Sequence, residues 1–87
     1  MAEVASGAAI ESKVFDMLAT LGPERDEITH DALLEDLEID SLDVVEMAQW
    51  AEDEFDVTVD PERFVGSKTA GDLADRLAAI VAEAQAG

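Results

Sequence analysis

Apolar residues recur along this chain with a helical period, and only one short run reads like a strand. Ile10, Val14, Met17, Leu18 and Leu21 fall at i, i+4, i+7, i+8 and i+11. That spacing is one stripe of an amphipathic helix predicted from Gly7 to Leu21. Gly22-Pro23 stops it, since glycine suits the residue past a helix end and proline cannot continue the backbone bonding. Residues 22–40 then read as a long polar connection whose apolar anchors, Ile28, Leu33, Leu34 and Leu37, are expected to pack back on the helices. A connection of this length in a small domain tends to carry function.

The second helix is predicted to start at Asp40-Ser41-Leu42-Asp43. Asp40 stands at the cap, Asp43 favours the first turn, and Val44, Met47, Ala48, Ala51 and Phe55 form the buried stripe. Asp60-Pro61 reads as N-cap and first residue of a short third helix ending near Gly66. Thr69-Ala-Gly-Asp72 resembles a capping box, with Asp in place of the usual Glu, and opens a last helix. Its stripe is Ala70, Leu73, Ala74, Leu77, Ile80, Val81 and Ala84. Val57-Thr58-Val59 is the one β-like run, too short for a sheet. The expected fold is all-α, a four-helix bundle of three main helices and one short one with a long first loop. Residues 7–84 make the domain, with flexible termini at 1–6 and 85–87.

Composition changes this picture in one direction. With 87 residues the chain holds one modest core, near the size at which burial only just offsets chain entropy. Its 22 acidic residues against 5 basic ones give a net charge of −17, which sets it against nucleic acid and anionic membrane surfaces and in favour of basic protein partners. The absence of cysteine removes disulfides, zinc-thiolate sites and thiol catalysis and agrees with a reducing cytoplasm. No basic n-region or long apolar run supports secretion or membrane insertion.

Within this acidic background Ser41 stands out. From Asp26 to Glu62 every charged residue is Asp or Glu, and His30 is the chain's one imidazole. A serine flanked by carboxylates lacks the base that would make it a nucleophile, so Ser41 reads as a point of attachment and no residue is assigned a catalytic role. His30 reads as a loop residue able to modulate charge near neutral pH. Just beyond Ser41, Leu42 and Val45 lie opposite Ala51 and Phe55, among Asp43, Glu46 and Gln49. Apolar anchors ringed by carboxylates suit a surface that docks a basic partner. A calcium loop starting at Asp36 fails its pattern, with Ser41 where Gly is needed and Met47 at the twelfth position, so no metal site is assigned.

The run from Leu34 through Asp40-Ser41-Leu42-Asp43-Val44-Val45-Glu46 to Met47, then Ala51 to Val57 and Thr69 to Leu73, resembles the discrete acyl carrier proteins from about Ile10 to Ile80. The resemblance implies that Ser41 carries a 4′-phosphopantetheine arm transferred from coenzyme A by a phosphopantetheinyl transferase. The arm's thiol would hold acyl groups as thioesters, which accounts for the missing cysteine. Asp40, Asp43, Glu46, Glu52 and Asp53 would be charged partner contacts, with Leu42 and Val45 the apolar ones. The implied partners are the transferase, an acyl-loading enzyme or acyltransferase, and a ketosynthase and other acyl-processing enzymes with basic docking patches. The carrier itself would be a cytoplasmic monomer. The sequence departs from the family at Glu38 and Ile39, where Gly and then a small or aliphatic residue are common, at Gln49, usually apolar, and at Trp50-Ala51, with the large side chain where a small one is usual. These departures favour a polyketide, hybrid or lipopeptide pathway at least as much as fatty-acid synthesis. Two other readings are an unmodified acidic interaction module and a peptidyl carrier of a nonribosomal assembly line.

Overall fold

The computed structural model describes residues 7–86. The expected flexible N-terminus, residues 1–6, and Gly87 lie outside the described residues. Among the described residues the chain forms three α-helices: α1 (Gly7–Ala19), α2 (Ser41–Phe55) and α3 (Ala70–Ala86). Two short 3₁₀ turns, Arg25–Glu27 and Pro61–Phe64, interrupt the connections. The all-α expectation therefore holds, but the fourth member of the expected bundle does not form as an α-helix. Asp60 does cap that segment, accepting from the Glu62 N–H at 3.0 Å with Pro61 next in line. The chain nevertheless leaves after four residues, because Gly66 at φ +90° turns it away.

α1 ends two residues before the expected Leu21. Thr20 and Leu21 donate to the carbonyls of Met17 and Leu18, both at 3.0 Å, and the Thr20 hydroxyl takes the Met17 carbonyl at 2.6 Å. These i→i−3 bonds tighten the last turn and satisfy carbonyls that would otherwise be orphaned. Along α1, Ile10, Val14, Phe15 and Leu18 are buried, while Met17 and Leu21 are only partly so. Phe15 was missed by the periodicity, and its ring lies beneath the Arg25 guanidinium, 5.4 Å from the centroid.

α3 packs most extensively against α1. Its stripe from Ala70 to Val81 is buried as expected, but Ala84 is exposed, and the helix ends at Ala86. The predicted cap is present. Asp72 N–H donates to Thr69 Oγ1 at 3.0 Å, and Asp72 Oδ2 accepts from the Thr69 and Lys68 N–H groups at 3.2 and 2.9 Å. Those donors hold the Asp72 carboxyl below its ordinary range.

The long first loop packs back on the helices through Ile28, Leu34, Leu37 and Ile39, all buried; Leu33, expected among the anchors, is 45% exposed. Ile39 takes its place in the core. The backbone explains the exchange: Leu33 pairs with Thr69 in an isolated antiparallel bridge, with Leu34 N–H bonded to Lys68 O and Ala70 N–H to Ala32 O, both at 2.9 Å. Leu33 thus faces away from the core while its neighbour Leu34 faces in. One residue further along α3, Gly71 N–H donates to His30 O at 2.9 Å. A side chain at Gly71 would meet His30 atoms at 2.5 Å, so only glycine lets the loop approach this closely.

Candidate functional site

Ser41 is the first residue of α2 and is exposed. The residues before it determine this placement. Residues 33–38 form a single helical turn closed by Ile39 N–H to Leu34 O at 2.9 Å and Glu38 N–H to Glu35 O at 3.1 Å, the paired bonds of a Schellman closure. Glu38 occupies the left-handed position of that closure, at φ +59°. Ile39 then anchors in the core, and Asp40 adopts the extended conformation of an N-cap. Asp43 N–H donates to Asp40 Oδ1 at 3.1 Å and Asp40 N–H to Asp43 Oδ2 at 3.2 Å, a reciprocal box across the first turn. No described residue hydrogen-bonds the Ser41 hydroxyl, so it is presented to solvent on a rigidly capped helix end.

The remaining candidates spread over the outward surface of α2. Leu42 is 73% exposed, Glu46 and Asp53 are exposed, and they share the face opposite Ala51. Val45 is half-buried and contributes to a groove rather than standing clear of the surface. Glu52 differs in kind from the other acids, since its Oε2 accepts the Val59 N–H at 2.9 Å and fastens the connection that follows α2. Asp43 likewise serves the helix cap. Trp50 is half-buried at the α2 edge and meets Phe55 edge-on, with centroids 5.8 Å apart and planes at 87°.

The groove was not foreseen from the sequence. It has a volume of about 1010 Å³, and Ser41 is among the residues that line it. One wall is the first loop with Leu34 and Ile39, another is α2 with Val44 and Val45, and the third is the stretch from Phe64 to Lys68. The backbone bridge between residues 32–34 and 68–70 joins two of these walls. Arg76 steadies the third, donating to the carbonyls of Val65 at 2.6 Å and Arg63 at 3.3 Å. Ser67 lies in this stretch, and its Oγ is buried without a hydrogen-bond partner.

His30, read from the sequence as a loop residue, clasps two helices: Nδ1 lies 2.7 Å from Glu11 Oε2 on α1 and Nε2 3.9 Å from Asp75 Oδ2 on α3. The Glu11 hydrogen bond raises the imidazole above its ordinary 6.5. Among the described residues no group of three or more His, Cys, Asp or Glu side chains is arranged to hold a metal, and no helix is long and apolar enough to cross a membrane.

The exposed hydroxyl with free space beside it fits a covalently attached, flexible group, and its neighbours Asp40 and Asp43 would keep an attached phosphate turned towards solvent by like-charge repulsion. Comparison with known proteins points the same way. Residues 12–77 match the family described as the phosphopantetheine attachment site. Among curated proteins, the chain is 42% identical over 66 residues to the acyl carrier protein of Lactococcus lactis subsp. cremoris, covering 75% of this chain and 88% of that one. It is 40% identical over 73 residues to that of Syntrophobacter fumaroxidans, covering 82% and 90%. To that of Streptococcus pyogenes serotype M3 it is 38% identical over 66 residues, covering 75% and 86%.

Proposed function

The chain belongs to the acyl carrier protein family, non-catalytic carriers of covalently attached 4′-phosphopantetheine, and from that premise we propose that Ser41 is its attachment residue. The observation that carries the assignment is the exposed, unbonded hydroxyl at the first residue of a capped helix, at the edge of a groove. When bound, the group supplies a terminal thiol that holds an acyl chain as a thioester. The residues of this chain do the rest. The Asp40–Asp43 box fixes the direction in which Ser41 faces, and the groove beside it shelters part of what is attached.

The family works with a phosphopantetheinyl transferase and acyl-processing enzymes. For this chain the reading is that Asp40, Asp43, Glu46 and Asp53 steer their basic patches towards Ser41, with Leu42 as the apolar anchor. Val45 belongs more to the groove and Glu52 is partly committed to the fold, so both contribute less to docking. The carrier domain spans residues 7–84 and acts as a cytoplasmic monomer, a reading supported by the lack of cysteine and by the mutual repulsion of copies carrying −17. The pathway is polyketide, hybrid/lipopeptide or fatty-acid synthesis.

The test is intact-protein mass before and after incubation with coenzyme A, Mg²⁺ and a broad-specificity phosphopantetheinyl transferase. Wild-type protein is expected to gain one phosphopantetheine and Ser41→Ala none. No gain in wild type, with the transferase active on a control carrier, would leave an unmodified acidic docking module as the better reading.

A further inference from the structure

Four of the chain's five Lys and Arg side chains are engaged within the fold. Lys13 pairs with Glu54 at 3.0 Å, Arg25 with Asp16 at 2.7 Å and Arg63 with Glu83 at 2.8 Å, while Arg76 donates to the Val65 carbonyl at 2.6 Å. Lys68 is the fifth. It is exposed, and its ammonium group bonds to no described residue, although Glu35, Glu38, Asp40 and Glu62 line the same groove as Lys68. In a chain with 22 acids and a net charge of −17, a cation that closes on none of its neighbours is available for a further anion.

The backbone of Lys68 is held from both sides. Its N–H donates to Asp72 Oδ2 and its carbonyl accepts from Leu34 N–H, both at 2.9 Å. The path from there to Ser41 is short: Leu34 O accepts from Ile39 N–H at 2.9 Å, and Asp40 alone separates Ile39 from Ser41. Ser41 and Lys68 line one groove. A fixed backbone thus carries a point charge on a flexible four-carbon stem beside the attachment hydroxyl.

A phosphodiester on Ser41 is a monoanion at the first residue of a helix, where free backbone N–H groups ordinarily receive it. Here two carboxylates already occupy that end. Asp43 N–H donates to Asp40 Oδ1 at 3.1 Å and Asp40 N–H to Asp43 Oδ2 at 3.2 Å. Like charge turns the phosphate off the helix end, and Lys68 is the cation lining the groove.

Resting on the assignment of Ser41 as the attachment residue, we propose that Lys68 binds the arm: its ammonium group forms an ion pair with the phosphodiester on Ser41 at the rim of the groove. The pair sets the heading of the arm's first bonds and leaves the rest free to swing. As a surface pair it is weak enough for a partner's own cations to open it.

The experiment compares the full chain before and after loading with coenzyme A by the transferase, in wild type, Lys68→Gln, Lys68→Arg and Lys13→Gln, with intact mass confirming complete loading. The change in unfolding midpoint on loading is expected to be more favourable in wild type than in Lys68→Gln by roughly 1–8 °C at low salt. That difference is expected to shrink at about 1 M salt, where charge interactions reach only about 3 Å. Lys68→Arg is expected to respond like wild type, and so is Lys13→Gln, since Lys13 pairs with Glu54 and lies outside the groove. Loading is also expected to move the Lys68 side-chain NMR signals, and Lys68→Gln to move the ³¹P signal of the loaded protein. Equal midpoint changes in wild type and Lys68→Gln, unmoved Lys68 signals on full loading, or an equal loss in Lys13→Gln would each overturn the proposal while Ser41 attachment stands. If wild type gains no mass, both fall together.

Discussion

At the scale of single residues, two side chains hold the long loop in conformations that cost or store free energy. Glu38 sits at φ +59° in the closing position of the turn before Ser41, where a residue with a Cβ is disfavoured by about 1–2 kcal/mol. Replacing it with glycine removes that strain but gives the unfolded chain more freedom, by about 0.4–1 kcal/mol. Glu38→Gly is therefore expected to stabilise the protein by about 0.5 kcal/mol, a rise of roughly 2–4 °C in the unfolding midpoint, and a fall would show that the left-handed turn is not formed in solution. His30 acts in the opposite sense. Its imidazole faces Glu11, Asp75 and Asp31, and the Glu11 hydrogen bond raises its pKa above 6.5. A raised folded-state value means that the clasp contributes fully below the unfolded pKa and fades as pH rises through the folded one. The stability gap between wild type and His30→Gln is thus expected to be full below the ordinary imidazole value of 6.5 and to close as pH rises through the raised folded-state value. A gap that widened with rising pH would contradict the clasp, as would an imidazole titrating at or below 6.5 by NMR.

At the scale of elements, what was legible in the sequence and what was not divide along a physical line. Helix positions, the caps at Asp40–Asp43, Asp60 and Thr69–Asp72, and most of the buried stripes follow from local spacing and capping chemistry, so the chain itself displays them, although Val44 and Phe55 at the two ends of the α2 stripe are only partly buried. Ser41 and its exposed face on α2 were legible for the same reason. Contacts between distant segments were not. The exchange of Leu33 for Ile39 as a core anchor depends on a bridge to Thr69, and the groove is walled by segments distant in sequence, two of which are joined through residues 32–34 and 68–70. Glu52 read as a docking acid because nothing local reveals its bond to the Val59 N–H. The short helix at Pro61 had the right cap, and only the turn at Gly66 limits it to one 3₁₀ turn. Gly71 is the clearest case of a residue whose role is tertiary: the His30 carbonyl and ring lie where its side chain would be. Gly71→Ala is expected to force loop and α3 apart, weaken the Gly71–His30 backbone bond and lower stability by about 1–3 kcal/mol, although alanine favours helices. A more stable Gly71→Ala protein would mean that the loop does not rest on α3.

At the scale of the whole molecule, the net charge of −17 acts on stability and on function through the same acids but with opposite consequences. Within the folded chain the acids repel one another. The pairs Lys13–Glu54, Arg25–Asp16 and Arg63–Glu83 lie at the surface, where such pairs contribute little, so they do not offset that repulsion. Between the carrier and a basic partner the same acids attract. Salt screens both, shortening the range of charge interactions from about 30 Å at 0.01 M to about 10 Å at 0.1 M. Raising salt across this range is therefore expected to increase the unfolding midpoint of the carrier while reducing the kcat/KM of the transferase acting on it. Charge reversal at a position free of structural duties separates the two effects. Glu46 is exposed on the docking face and takes no part in the caps. Glu46→Lys is thus expected to raise the midpoint slightly at low salt, to reduce loading by about 5–30-fold, the range of a lost charged contact of 1–2 kcal/mol, and to flatten the salt dependence of loading. If loading by wild type and by Glu46→Lys were equal at low salt, the acids of α2 would be only a solvated face, and recognition of Ser41 would have to rest on the apolar anchor Leu42 and the shape of the groove.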